Sequence, residues 1–103
     1  MNIILKHVSS KDVWAKPKEG SSCWLEYWNK YCKEYYPKYC PDCRKRIYSD
    51  NELVGAHVKK CYSLDNNVYI VPVCKSCNTA GGTDNHEFMC DSNLLVPANK
   101  ERL

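Results

Sequence analysis

Cys40-Pro41-Asp42-Cys43 and its counterpart Cys74-Lys75-Ser76-Cys77 decide how this chain is read. Each C-x-x-C pair is short enough to grip an ion from a tight turn. Two such pairs about thirty residues apart can bring four thiolates to one tetrahedral zinc ion. A lone pair would leave a redox motif open. Two pairs, the first opening onto the basic run Arg44-Lys45-Arg46, point to a single structural zinc with Cys40, Cys43, Cys74 and Cys77 as ligands.

The remaining composition bounds what such a site must do. A chain of 103 residues makes one domain with an adequate but not generous core. Structural zinc contributes about 10–16 kcal/mol of apparent binding free energy, more than the net stability of most domains, so chelation should unfold much of the chain. The eight cysteines admit a second use as disulfides, which requires an oxidising compartment and an export signal. The opening Met1 to His7 carries only Ile3-Ile4-Leu5 before charge arrives, too short for a signal-peptide core, and no later stretch approaches a membrane span. A cytoplasmic location with reduced thiols and no membrane partner is therefore expected. Lys and Arg outnumber Asp and Glu by 15 to 12. This mild bias permits nucleic-acid contact without the dense patch of a dedicated duplex binder. Eight Tyr and three Trp against one Phe mean that nearly every ring carries a polar group, which suits a thin core whose rings reach the surface.

Taken in order, Ile3 to Val8 reads as a short strand followed by a turn at Ser9-Ser10-Lys11-Asp12. A polar loop from Ala15 to Ser22 then leads to a helix capped by Ser21 or Ser22. From Cys23 to Tyr36, Trp24, Tyr27, Trp28, Tyr31 and Tyr35 recur on one helical face, with Glu26, Asn29, Lys30, Lys33 and Glu34 opposite, and Pro37 ends the run. Such a stripe is more often a core face than a platform for bases. Leu53 to Val58 and Val68 to Val71 read as strands separated by a turn at Asp65-Asn66-Asn67. Cys74 and Cys77 open a short helix that Gly81-Gly82 stops. Glu87 to Cys90 and Leu94 to Val96 read as a closing pair of strands around Asp91-Ser92-Asn93. The chain is one domain, 1–103: an N-terminal strand and amphipathic helix (1–37), a zinc-binding core (38–82), and C-terminal short strands and tail (83–103).

A knuckle, a hairpin and a helix whose first turn supplies the last two cysteines is the plan of a treble-clef zinc finger, the ββα-metal arrangement within a small α+β zinc-binding domain. Within it, Gly55-Ala56-His57-Val58 followed by Tyr69-Ile70-Val71-Pro72-Val73-Cys74-Lys75-Ser76-Cys77-Asn78 resembles the HNH, or His-Me finger, endonucleases. The resemblance covers about Cys40 to Ala80 and implies a purely structural zinc. It also implies phosphodiester hydrolysis, with His57 as general base on water and a divalent ion, Mg²⁺ or Mn²⁺, stabilising the leaving oxygen. Ala56 stands where the family has a metal-binding Asp or His, Tyr69 where it has an asparagine that orients the loop holding the base, and Asn78 where it has a second metal-binding His. Asn78 keeps a weaker carbonyl oxygen ligand; the methyl of Ala56 can ligate nothing. His86, Asp84, Glu87 or Asp65 could serve as substitutes.

The expected function is thus a zinc-binding, HNH-like module for nucleic acid or a protein partner, not an enzyme. The alternative is a metal-dependent HNH-type endonuclease with His57 as base and Asn78 as metal ligand. Candidate nucleic-acid contacts are Lys38, Arg44, Lys45, Arg46 and Lys75, which also offset a net charge of about −2 on a four-thiolate zinc site. Cys23, Cys32, Cys61 and Cys90 remain, with His7 and His86 as conceivable further ligands. On one helix Cys23 and Cys32 would lie about 180° and about 13 Å apart, and His86 and Cys90 on one strand would also be about 13 Å apart. Small buried hydrophobes are the expected role of these thiols.

Overall fold

Leu53–Lys60 (β2) and Tyr69–Cys74 (β3) form the hairpin that carries the rest of the chain, paired from Leu53↔Cys74 to Val58↔Tyr69. β3 is rich in β-branched residues, and β2 carries two valines. The loop between them turns where Asp65 Oδ1 accepts from the Asn67 backbone N–H at 2.9 Å, an Asx turn at the position expected. In the computed structural model, which describes residues 1–8, 17, 20–81 and 86–98, these strands sit within a five-stranded antiparallel sheet. Asn2–His7 (β1) pairs with β2 and with Glu87–Asp91 (β4), while Val96–Pro97 (β5) pairs with β3, giving the order β4-β1-β2-β3-β5. Trp24–Tyr31 (α1) packs on β2 and β3, and Lys75–Gly81 (α2) follows β3 directly. The turn expected at Ser9–Asp12, part of the loop expected between Ala15 and Ser22, Gly82, Asp84 and the tail beyond Ala98 lie outside the described residues.

Alternation along β3 splits the apolar side chains between two clusters, with Ile70 on one side and Val71 and Val73 on the other. Ala56 and Val58 join Leu5, Val71 and Val73 in one, which also takes in Cys40, Ile47 and Cys74, so the first C-x-x-C turn packs on this side. Trp24, Tyr27 and Trp28 of α1 close the other over Ile70, Val96 and Ala98. The polar atoms of two of them are met by the C-terminal segment: Tyr27 Oη donates to the Pro97 carbonyl at 2.7 Å and Trp28 Nε1 to the Leu94 carbonyl at 2.6 Å.

Three expectations change. The helix ends at Tyr31, short of Tyr36, because at Cys32 the backbone turns extended (φ −95°, ψ 137°) and doubles back. Tyr36 then stacks on Trp28 with ring centroids 5.4 Å apart, and Tyr35, assigned to the buried face, is 93% exposed. At the other end the N-cap is Cys23, with no side-chain cap of its own; Glu26 instead reaches back to accept from the Ser22 hydroxyl. Finally, the two C-terminal strands do not pair with each other. A 3₁₀ turn at Ser92–Leu94 carries the chain from β4 to β5 at the opposite end of the strand order. Five residues reach at most about 18 Å, whereas four gaps between strands of a flat sheet span roughly 19 Å. The sheet is therefore curled, bringing its edges together around the Leu94 junction of the two clusters.

Where α1 crosses β2 the backbones nearly touch: a Cβ built on Gly55 would lie 2.7 Å from the Trp24 carbonyl carbon and 2.8 Å from the Leu25 nitrogen. Those are backbone atoms that cannot swing aside. Gly55→Ala is expected to destabilise by about 1–3 kcal/mol through overpacking, against under about 0.5 kcal/mol for the surface change Tyr35→Ala. Urea unfolding of both variants measures this, and equal midpoints would refute the close crossing.

Candidate metal centre

The residues from Lys38 to Ile47 fold into a miniature hairpin. The Cys40 N–H donates to the Lys45 carbonyl at 2.9 Å, the Arg44 N–H to the Cys40 carbonyl at 2.8 Å and the Ile47 N–H to the Lys38 carbonyl at 2.8 Å, with a bridge at Tyr39↔Arg46. The reversal is completed by Arg44 at φ 68°, a left-handed conformation unusual for a residue with a long side chain. The turn aims Cys40 and Cys43 toward the end of β3, where Cys74 closes the strand and Cys77 lies in the first turn of α2. All four sulfurs fall within 4.8 Å of one another; Cys40 Sγ is 3.8 Å from Cys77 Sγ and Cys43 Sγ 3.7 Å from Cys74 Sγ. A tetrahedral ion with metal–sulfur bonds of about 2.3 Å requires sulfurs about 3.8 Å apart. The donor set therefore fits such an ion.

The surroundings suit thiolates held by a cation. The Cys74 N–H donates to Cys40 Sγ at 3.4 Å, and Ser76 Oγ lies 3.3 Å from Cys74 Sγ. Burial acts to raise the Cys74 thiol, but the Ser76 hydroxyl and the Cys77 backbone N–H outweigh it and bring its pKa to about 6. Cys77 moves the other way, pushed far up by burial and by the neighbouring thiols, and burial also raises Cys40. Four anionic sulfurs at this spacing repel one another, and a dication between them reverses that balance.

Inside the same turn, Asp42 is the anchor that sequence reasoning missed. Its Oδ2 lies 2.9 Å from His7 Nε2 on β1 and its Oδ1 2.6 Å from His86 Nε2 just before β4. The His7 and Asp42 side chains are only 2% and 5% exposed. Burial acts to raise the Asp42 carboxyl, yet the hydrogen bonds from His86 and His7 hold it below its ordinary value. His7 and His86, considered above as metal ligands alongside the spare cysteines, thus meet a carboxylate instead. The only local hint was an acidic residue between two cysteines, and nothing in the spacing named its partners.

The candidate contact residues divide. Lys38, Lys45, Arg46 and Lys75 are exposed. Arg44 is exposed too, but its Nη2 donates to the Met89 carbonyl at 2.7 Å, so its guanidinium covers the free edge of β4. Arg46 lies over two rings, 5.4 Å from the Tyr39 centroid and 5.6 Å from that of Tyr48, the latter 84% exposed. This basic and aromatic face was not read from sequence, although Tyr39, Arg46 and Tyr48 flank the first cysteine pair.

His57 stands on β2 opposite Ile70, its ring against Trp24 at 5.2 Å, edge to face. Its Nε2 is buried without a hydrogen-bond partner among the described residues, and burial lowers its pKa to about 4. Ala56 is buried on the other side of the strand, and Asn78 is exposed on α2. Tyr69 does bond the β2–β3 loop, its hydroxyl donating to Asp65 Oδ2. Of the other thiols only Cys90 is buried. Cys23 is exposed at the N-cap, Cys32 and Cys61 are half-buried, and Cys32 points its sulfur at the Asn93 carbonyl. These three sit at element ends, where the chain leaves the core. No described helix is long and apolar enough to cross a membrane. No protein family, curated protein or solved structure matches this chain.

Metal analysis of protein prepared without chelator is expected to return a single ion per chain, released by acid as the thiolates protonate. Cys40→Ser and Cys77→Ser should each lose it along with most of the stability; metal-free protein whose unfolding ignores both changes would refute the centre.

For His57, an NMR titration should find the imidazole neutral down to a midpoint near 4. Because the unfolded chain takes up this proton near 6.5 and the folded chain near 4, the contribution to stability is complete above about pH 6.5 and is lost as pH falls toward 4. A midpoint near 6.5 would mean that the ring is open to water.

Proposed function

We propose that the chain is a zinc-stabilised treble-clef module of HNH-like type that binds single-stranded nucleic acid through the face of its first cysteine turn, without cleaving it. The observation that carries this reading is the exposed stack of Tyr39, Arg46 and Tyr48, flanked by Lys38 and Lys45. Aromatic platforms beside cations hold unpaired bases with little sequence preference, each stacked base contributing about 1–3 kcal/mol, while the cations track the backbone. Zinc is the ion that four thiolates at tetrahedral spacing select among common intracellular metals without redox chemistry. The metal's role is to hold the turn, and with it the platform. The treble-clef assignment is supported by the order of parts: cysteine turn, β2–β3 hairpin, then Cys77 in the first turn of α2.

The non-catalytic form of the reading is supported by His57. A general base must reach the proton it abstracts, and the Nε2 of His57 is enclosed. No comparable observation favours the endonuclease alternative with His57 as base and Asn78 holding Mg²⁺ or Mn²⁺.

Fluorescence anisotropy with single-stranded and duplex oligonucleotides tests the proposal. Binding is expected to favour single strands and to weaken with salt at a log–log slope of about −2 to −3, as for three or four neutralised phosphates. Tyr48→Ala should cost about fivefold or more, and Arg46→Ala should both weaken binding and flatten the slope. Absence of binding at low salt to any DNA or RNA, or plasmid nicking with Mg²⁺ or Mn²⁺ that His57→Ala abolishes, would overturn it.

A further inference from the structure

Away from the cysteines, an open pocket of about 470 Å³ lies where β1, the end of β2 with the loop after it, and the start of β4 meet. Its walls include Lys6, Lys59, Cys61, Tyr62 and Glu87. Strand register sets its charge: Lys6 stands directly opposite Lys59 across β1–β2 and opposite Glu87 across β1–β4. Like charges opposed on paired strands destabilise the pairing. One carboxylate, Glu87, stands beside two lysines; its oxygens share the single proton of the Tyr62 hydroxyl, at 3.1 and 3.2 Å, its charge offsets at most one of the two ammonium groups, and among the described residues neither Lys6 nor Lys59 makes an ion pair within contact distance. The third lysine of the pocket, Lys60, is already matched by Asp65 at 3.2 Å.

Tyr62 adds an independent observation. It holds a left-handed backbone (φ 55°) while its ring is 84% exposed. A bulky side chain in that region is an outlier, and such strain persists where the surroundings hold a residue in place for a purpose. Here the Glu87 carboxylate holds the hydroxyl, so the ring is displayed beside the two lysines instead of packed in either cluster.

We propose that this pocket binds the phosphate group of a small phosphorylated ligand, with Lys6 and Lys59 as its charge partners and the Tyr62 ring as a wall for the body that carries it. A dianion satisfies both ammonium groups at once, and lysine serves phosphate as a point charge. The volume lies in the range of small-molecule sites and exceeds what a bare phosphate fills. The site is separate from the nucleic-acid reading and does not rest on it.

The test is ¹⁵N NMR of the full chain titrated with inorganic phosphate at constant ionic strength. Saturable shifts are expected at the amides of Lys6, Lys59, Cys61 and Tyr62, with Tyr39 to Tyr48 unmoved. Lys6→Gln and Lys59→Gln should each weaken binding about tenfold, as for loss of a charge-assisted hydrogen bond. Lys59→Gln removes one of two repelling charges without touching the Lys6–Glu87 pair, so without phosphate it should melt no lower than the parent, which separates lost binding from lost folding. Tyr48→Ala should leave the phosphate shifts intact. A nucleoside monophosphate should bind more tightly than phosphate; equal affinity would overturn the role of Tyr62. Shifts that grow without saturation, spread over all surface lysines or survive both Gln substitutions would overturn the site. Displacement of phosphate by a single-stranded oligonucleotide at these amides would overturn the small ligand in favour of backbone phosphate.

Discussion

Four cysteine sulfurs within 4.8 Å of one another form a group that could hold a metal ion, and as thiolates they would repel one another unless a cation lay among them; the middle of this chain is arranged around that cluster. Between α1 and β2 the only strand-like pairing is the bridge Tyr39↔Arg46. The segment buries little besides Cys40, Pro41 and Ile47. Two of its sulfurs face Cys74 and Cys77, at the junction of β3 and α2. A metal held there would join the least regular part of the fold to its most regular part.

The turn is also held by groups outside the cysteine set. Asp42 reaches β1 through His7 and the start of β4 through His86, and Arg44 reaches the β4 edge through the Met89 carbonyl. A four-residue turn is thus held on three sides, and its orientation is settled before any partner arrives. That matters for Tyr39, Arg46 and Tyr48, because a platform already in its binding geometry loses less conformational freedom on association. The guanidinium on Met89 has a second effect. It occupies a carbonyl on an edge strand that would otherwise be free to recruit another strand.

What could be read from the residues was what local spacing encodes. The paired cysteines, the turn at Asp65 and the apolar runs of β2 and β3 each depend on neighbours a few positions away; the turn lies where expected, and both strands begin within one residue of the expected start and run on past the expected end. The end of α1 was not legible. The aromatic period continues through Tyr35, and only the stacking of Tyr36 on Trp28 explains why the chain doubles back sooner. The partners of Asp42 lie 35 and 44 positions away, and the C-terminal strands chose β1 and β3 over each other for reasons that reside in the curl of the sheet. Nor could spacing distinguish Arg44, committed to Met89, from Arg46, which is free to face a ligand.

The strand order also says something about how the molecule comes into being. β1 pairs with β4 from Asn2↔Asp91 to Lys6↔Glu87, so β1 finds one of its neighbours only after some eighty further residues have followed it. Its other neighbour, β2, arrives midway, and the roof over α1 closes only when Leu94 and Pro97 deliver their carbonyls to Trp28 and Tyr27. Contacts this distant in sequence make folding slow relative to helical bundles of similar size. Cys40 to Cys77, by contrast, all precede β4 and β5 in the chain, so an ion bound by them would give a half-made chain a fixed point before its last strand appears.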